Sequence, residues 1–430
     1  MSAPKLKAPR GTFDVLGEQA TMRATVEAKA RAILEGAGYE RIETPTLEAT
    51  ELFARGVGES TDIVQKEMYT LTDGGGRSLT LRPEGTAPVC RAYVEHGMHK
   101  RPQPVKLWYL SSFFRYERAQ AGRYRQFWQV GAEALGSEDP AVDAESIVLL
   151  GTLLAELGVS VRLRISSLGS PDSRMAHREL LQTYLREHEA SLSEEVKARI
   201  ELNPLRAFDS DHEGTRAVMQ SAPRLLDQLD EEDKAHFVEV CALLREADVA
   251  YEVDPSLVRG LDYYTRTVFE FTSDDLGAQS GVGGGGRYDG LIAQLGGPPT
   301  PGMGWAAGIE RILLAGTPPA AGAAAPDVYV AWTDLKKPPQ GGQGWPRGAV
   351  RTAAFGILRE ARSAGLTAQM ELANRSLKGQ LGQAAKMNAR YVAIVGEQET
   401  VLKNMQGGGA QETMATDTVV HTVLRRLRDL

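Results

Sequence analysis

Residues 113–129 read FFRYERAQAGRYRQFWQ, and the fold turns on how this stretch is read. It holds Arg115, Arg118, Arg123 and Arg125, opposed only by Glu117, and ends on the aromatic pair Phe127 and Trp128. The flanking pieces, VKLWYLSSFFRYE and YRQFWQVGAEALG, are strand-like and separated by a polar turn. A β-hairpin across 105–135 is therefore predicted. Alternation along its second strand would put Arg123, Arg125 and Phe127 on one face with Gln129, Gly131 and Glu133. Guanidinium forks suit phosphate oxygens and a flat ring suits a purine base. An exposed basic strand beside a core aromatic has the same pattern, so the hairpin alone leaves both readings open.

Working outward, residues 18–37 read as an amphipathic helix with Met22, Val26, Ile33 and Leu34 near one face and Gly36 and Gly38 at its end. An extended stretch from Tyr39 to Thr44 runs into Pro45, which stops regular pairing. Downstream, VRLRISSLG at 161–169 is a strand. The chain then turns charged and helical in period from about 171 to 250. Ser170 before Pro171 makes a good helix start, and the segment is read as a helical insertion in a β-rich domain. Strand pattern resumes with TRTVFEFTS. The run TPPAAGAAAPD at 317–327 suits a linker. Beyond it, VYVAW, AQMEL and YVAIVG alternate with helical patterns near 350–364 and 376–388, which suggests a small α/β domain with a parallel or mixed sheet. KKPPQGGQGWPRG, 336–348, reads as an exposed loop, and no internal repeat is visible.

Bulk properties narrow the class. At 430 residues the chain is too long for one typical domain. No apolar run approaches the roughly 18 residues of a membrane span, and the opening MSAPKLKAPRGTFD lacks the apolar core of a secretory signal. Cys90 and Cys241 lie far apart without metal-ligand spacing, so neither a disulfide framework nor a zinc site is expected, and a reducing cytoplasm fits. A net charge of −7 argues against a DNA-coating protein, though basic groups can cluster locally on an acidic body.

Four further stretches carry polar groups suited to a site. LRPEGTAPVCRAYV, 81–94, places Glu84, Gly85 and Thr86 at a turn before a helix, where Thr86 could serve as a plain N-cap. RGLDYYTRTVFEF, 259–271, joins Arg259 to Tyr263 and Tyr264, which could hold an anion and offer hydroxyls or simply edge a strand. GVGGGGRYDG, 281–290, lacks the ending of a P-loop and reads as a tight backbone approach or a turn. GMGWAAGIERILL, 302–314, is a small-residue strand entering a helix that carries Arg311.

In this order the pieces resemble the class II aminoacyl-tRNA synthetases, specifically the histidyl-tRNA synthetase family. The helix and strand before Pro45 look like the first class II motif, FRYERAQAGRYRQFWQVGAE the second and GMGWAAGIERILL the third. RGLDYYT and GGGGRYDGL look like the two peptides peculiar to the histidine enzymes, and RSLKGQLGQAAKMNARYVAIVGE at 375–397 resembles their C-terminal domain. Trp128 departs from the histidine often found there, and the loop at 336–348 is longer than the family's.

The resemblance implies an α+β fold: a catalytic domain, 1–325, built on an antiparallel sheet with the insertion at about 171–250, then an α/β anticodon-binding domain, 326–430. It implies a cytoplasmic homodimer that uses ATP with Mg²⁺, L-histidine and tRNA(His), with no membrane or DNA partner and no dedicated metal site. By resemblance, Arg115 and Arg259 act at the α-phosphate and histidine carboxylate, Arg259 where sister enzymes use a metal ion. Arg123 and Arg311 hold the outer phosphates, Phe127 stacks on adenine and Glu117 accepts from its amine. Glu84, Thr86 and Gln129 hold the α-ammonium, beside Gly85. Glu133 and Tyr264 bond the imidazole nitrogens, with Tyr263 and Tyr288 lining the pocket. Arg118 and Gln120 meet the tRNA acceptor end. A non-catalytic relative acting as a regulatory subunit in histidine biosynthesis is the alternative; it would lack the last domain and lose site residues, whereas Arg259, Arg311, Glu84, Glu133 and residues 326–430 are all present.

Overall fold

The computed structural model describes residues 5–58, 61–118, 120, 122–257, 259–277, 280–316, 325–333, 348–373, 375–397, 399–406 and 410–428. The proposed linker at 317–327 and the loop at 336–348 lie almost wholly outside them. The chain forms two compact units, Met1–Ala320 and Ala321–Leu430.

In the first unit, α1 (Glu18–Gly36) leads to β1 (Glu40–Arg41), β2 (Leu47–Ala49) and α2 (Thr50–Val57). Next come β3 (Tyr69–Thr72), β4 (Ser78–Leu81) and α3 (Thr86–Glu95), then the hairpin β5 (Val105–Phe114) and β6 (Gln126–Leu135). The chain continues through α4 (Pro140–Glu156) and β7 (Arg162–Ser167) into four α-helices joined by short 3₁₀ turns: α5 (Pro171–Glu187), α6 (Glu194–Lys197), α7 (Glu213–Met219) and α8 (Glu231–Glu246). It closes with β8 (Glu252–Val253), β9 (Thr265–Thr272), β10 (Gly281–Arg287), α9 (Leu291–Gln294), β11 (Gly302–Gly308) and α10 (Ile309–Ala315).

Among the described residues the principal sheet has the order β1-β5-β6-β11-β10-β9-β7-β8, with β2-β4-β3 as a separate small sheet. The inner strands are antiparallel, and the parallel pairs β1 with β5 and β7 with β8 lie at its two edges. The two faces of the sheet have different occupants. One face carries Trp108, Val130, Ala132, Ala134, Phe269, Phe271 and Trp305, and packs on Val26, Ala30 and Leu34 of α1 and Ile147, Leu150 and Leu154 of α4. The other carries Leu107, Tyr109, Phe113, Leu135 and Val268 against Val89, Cys90 and Tyr93 of α3. This second face also bears the polar site.

Several sequence expectations are met closely. The hairpin pairs in register from Val105↔Leu135 to Phe114↔Gln126. Ser170 caps α5 by accepting from the Ser173 amide. The extended stretch before Pro45 is shorter than expected, pairing only at Glu40 and Arg41. The helical segment is also less independent than it reads. Its own core gathers Leu181, Leu185, Leu192, Val196, Ile200, Ala207 and Met219, but Phe237, Val240, Cys241 and Leu244 of α8 join the main core.

The glycine run is not a turn. Gly281–Arg287 is the strand β10, in the middle of the principal sheet. A Cβ on Gly285 would lie 1.9 Å from the Gly304 carbonyl oxygen, so of the two readings the close backbone approach holds.

In the second unit, β12 (Val328–Trp332), α11 (Ala349–Ser363), β13 (Ala368–Met370), α12 (Leu377–Lys386), β14 (Tyr391–Val395), β15 (Thr400–Asn404), β16 (Gln411–Met414) and α13 (Val419–Arg428) follow in order. The sheet β13-β12-β14-β15-β16 is mixed, with β13, β12 and β14 parallel and the last pairs antiparallel. Val330, Ile357, Ala361, Ala393 and Val423 anchor its main core.

Candidate active site

The floor of the site is the β5–β6 face that two-residue periodicity sets opposite the Trp108 core. Tyr109 stands across from Gly131, Phe113 across from Phe127 and Ser111 across from Gln129. Glycine at 131 is a steric requirement: a Cβ there, or on Gly85, would lie 2.4 Å from the Tyr109 ring. Glu133, one step further on, is fully buried. Its carboxyl accepts from the hydroxyls of Thr86 at 2.8 Å and Tyr109 at 3.3 Å, and from that of Tyr288. Burial pushes Glu133 up to about 8, against the opposing pull of the Tyr288 and Thr86 hydrogen bonds.

Glu84 caps the helix that follows it. Its carboxylate accepts from the amides of Thr86 at 2.8 Å and Ala87 at 2.9 Å, closing the open end of α3. Thr86 is thus not the N-cap; it lies inside the helix and gives its hydroxyl to Glu133. Burial raises Glu84 above the ordinary carboxylate range, and the two amides oppose that. Tyr263 reaches the Glu84 carboxylate at 3.5 Å, with its ring 4.8 Å from that of Tyr264 and 5.6 Å from that of Tyr288. Gln129 ends this wall, and its Oε1 is buried with no hydrogen-bond partner among the described residues.

Arginines collect beside this pocket. Arg115 donates to the Pro83 carbonyl at 2.8 Å and lies 5.3 Å from the centre of the Phe127 ring. Glu117 faces both Arg115, at 4.0 Å, and Arg123, at 3.2 Å. Arg259 donates to Glu270 at 2.9 Å and lies within electrostatic reach of Tyr264 and Tyr263. Arg311 donates to the Gly281 carbonyl; burial, then the nearby Arg123 charge, lowers it below the usual arginine range. Two guanidiniums that repel each other across a half-open surface attract an anion. The bare strand β10 runs beneath. A Cβ on Gly284 would lie 3.2 Å from Arg259 Nη1, and one on Gly286 would lie 2.9 Å from the Tyr264 ring.

The structure therefore brings Glu84, Gly85, Thr86, Gln129, Glu133, Tyr263, Tyr264 and Tyr288 together, with Arg115, Glu117, Arg123, Phe127, Arg259 and Arg311 along one side. Arg118 and Gln120 are exposed at the hairpin loop, where the Gln120 backbone pairs with Arg123. Arg125 is set apart from Arg115, Arg123, Arg259 and Arg311: it lies 4.1 Å above the Tyr116 ring and its amide donates to the Gly11 carbonyl. Trp128 projects toward the opposite core, its amide donating to Glu310 at 3.1 Å.

Sequence reasoning missed two residues. Tyr109 shares the floor, and two-residue alternation from Phe113 would have found it. Glu270 holds Arg259; its alternation against Phe269 and Phe271 was the available signal.

Residues 11–312 match the family model described as histidyl-tRNA synthetase. The chain is 46% identical over 424 residues to a histidine–tRNA ligase of Desulforamulus reducens, covering 96% of this chain and 97% of that one. It is 46% identical over 437 residues to a histidine–tRNA ligase of Halorhodospira halophila, covering 99% of each. Its fold is similar to the crystal structure of apo S. aureus histidyl-tRNA synthetase, with a TM-score of 0.79 and 34% identity over 97% of this chain and 100% of that one. By sequence over most of its length and by fold, the chain belongs to the histidyl-tRNA synthetase family, within the class II aminoacyl-tRNA synthetases.

Proposed function

We propose that the chain activates L-histidine with ATP and transfers it to the 3′ end of tRNA(His), with the residues gathered above as its machinery. The observation that carries this reading is the buried Glu133 carboxyl, ringed by Thr86, Tyr109 and Tyr288, beside the Gln129 oxygen, which has no hydrogen-bond partner among the described residues. Such a wall suits a small ligand with an N–H-bearing ring and an ammonium.

In the first step a carboxylate oxygen of histidine attacks the α-phosphorus of ATP, and pyrophosphate leaves as the phosphorus–oxygen bond breaks. Negative charge gathers at the α-phosphate in the transition state, where fixed cations lower the barrier. Arg259 and Arg115 supply them; Arg259 exchanges its Glu270 partner for the substrate anions. Arg123 and Arg311 hold the β- and γ-phosphates of ATP, which arrives with Mg²⁺. Phe127 stacks on adenine and Glu117 accepts from its amine. Glu133 and Tyr264 bond the imidazole, Tyr263 and Tyr288 close around it, and Gln129 with Glu84 and Thr86 receives the ammonium. In the second step the terminal 3′-hydroxyl of tRNA attacks the acyl carbon and AMP leaves. Arg118 and Gln120 meet the acceptor end, and residues 326–430 serve the anticodon.

The same reading takes the enzyme as a cytoplasmic homodimer. The resemblance to the first class II motif assigns the dimer contact to the apolar face of residues 18–37, but Val26, Ala30 and Leu34 of that face are covered within the chain, so the contact is placed on what stays open: the edge strand β1 and the exposed Leu16, Leu47 and Leu71. Light scattering should give twice the chain mass, and a fully active monomer would contradict the dimer.

Pyrophosphate exchange with each of the twenty amino acids tests the function. Only histidine should support it, because a side chain that leaves the Glu133 and Tyr264 groups unpaired is rejected by roughly 10⁴-fold. Exchange with another amino acid, or with none, would overturn the reading.

A further inference from the structure

We propose that the root of the helical segment shapes the amino-acid pocket, with Arg174 of α5 and Asp233 of α8 as positioning residues for Tyr263 and Tyr264. This rests on the histidine-pocket reading above and adds a part of the chain that no role has yet claimed.

Tyr263 and Tyr264 lie on the stretch just before β9, where no strand ladder holds the backbone. Buried carbonyls in such a stretch need donors from elsewhere. Arg174 supplies them: its guanidinium donates to the Tyr264 carbonyl and, at 3.2 Å, to that of Asp262, so it grips the backbone on both sides of Tyr263. A cavity of about 430 Å³ opens beside this contact, lined by Arg174, Arg178 and Leu202 of the helical segment and by Arg259, Asp262 and Tyr263. The grip therefore bridges two bodies that are not packed solidly together at this point.

A second tie lies just beyond. Arg266 adopts a φ of 44°, a left-handed conformation rare for a side chain of its size. The pairing of β9 with β10 is irregular here, jumping from Gly286↔Val268 to Arg287↔Thr265. Bulges of this kind re-aim side chains next to a site and persist only when their surroundings over-determine them. Here the surroundings are the helical root. The Arg266 amide donates to the Gly169 carbonyl at 2.8 Å, and its Nε donates to Asp233 at 2.9 Å. Asp233 is nearly fully buried. It also accepts from the Ser170 amide at 2.6 Å and the Ser173 hydroxyl at 3.2 Å. One carboxylate thus ties the start of α5, the start of α8 and the bulge two residues past Tyr264. Movement of the helical segment on its root is transmitted to the tyrosines that face the imidazole.

Histidine-dependent pyrophosphate exchange by the whole chain, with thermal melting alongside, tests this. Arg174→Ala should raise KM for histidine about tenfold while KM for ATP stays put, since small misplacements of a binding group are costly. Asp233→Asn should act in the same direction. Arg174→Lys should lie between, at about threefold, because an ammonium cannot span both carbonyls with a planar fork. A tie of purely structural kind would lower the melting temperature and move both KM values together or neither; either pattern overturns the proposal. Should the alanine variant fail to fold, Arg174→Lys carries the test, and an unchanged histidine KM overturns it. Tyr264→Phe separates the two levels. If it is impaired while folded Arg174→Ala is normal, positioning by the root falls and the pocket stands. If the unaltered protein shows no histidine-dependent exchange, both fall.

Discussion

The two halves of the site, which the proposed function gives to the amino acid and to the nucleotide, are built on opposite plans. On the amino-acid side, Glu84, Glu133, Tyr263, Tyr264 and Tyr288 are all buried, and their polar atoms are largely spent on one another. On the nucleotide side the cations remain partly open, with 21% of the Arg259 side chain and 45% of that of Arg123 exposed, each paired with a carboxylate. A buried, mutually bonded network has little freedom and rejects a ligand that does not complete it. Partly open ion pairs exchange more readily than fully buried ones, and the proposed function has phosphates displace Glu117 and Glu270. The proposed function thus assigns selectivity to the rigid half and charge stabilisation to the exchangeable half.

The largest effect expected of this division is at Arg259. Arg259→Ala should lower kcat for adenylate formation by about 10²–10³, with much less change in KM, because its charge matters most when the transition state forms. Arg259→Lys should recover only part, lacking the planar fork. A loss confined to KM would place Arg259 with the rigid half.

A smaller effect is expected at the hairpin loop. Replacing Arg118 and Gln120 together by alanine should slow tRNA charging about tenfold, as lost contacts to a nucleic-acid backbone do. Pyrophosphate exchange should not change. If exchange falls equally, the loop belongs to the ATP side.

The smallest is a pH effect on stability. The folded chain holds the Glu133 proton more tightly than the unfolded chain, up to about 8 against an ordinary 4.5. The resulting stabilisation is complete below about 4.5 and is lost as pH rises through about 8. Glu133→Gln removes that dependence. Its melting temperature should therefore improve relative to the unaltered chain by several degrees between pH 5 and pH 8. A constant difference would mean that Glu133 is ionised in the empty pocket.

Much of this architecture was legible because it rests on local periodicity. Alternation from Phe127 through Glu133 sorts one strand into a pocket face and a core face, and Ser170–Pro171 marks a helix start by its own chemistry. What escaped depends on side-chain contacts that no local pattern encodes. Nothing local distinguishes a glycine run that turns from one that threads between two strands; Gly285 is explained only by the Gly304 carbonyl beside it. Thr86 passes for an N-cap until Glu84 is seen to cap the helix in its place. Arg174 and Asp233 are two charges among many on charged helices, and their grip on residues 262–266 appears only when the chain is folded.

The division between the two halves is tested most directly by single-turnover adenylate formation across a range of histidine concentrations, with Glu133→Gln and Arg259→Ala measured side by side. Glu133→Gln should shift the histidine dependence to much higher concentration and leave the saturating rate closer to normal. Arg259→Ala should saturate at nearly the usual histidine concentration with a rate lower by about 10²–10³. Two variants failing in the same parameter, or an Arg259→Ala rate near that of the unaltered enzyme, would contradict it.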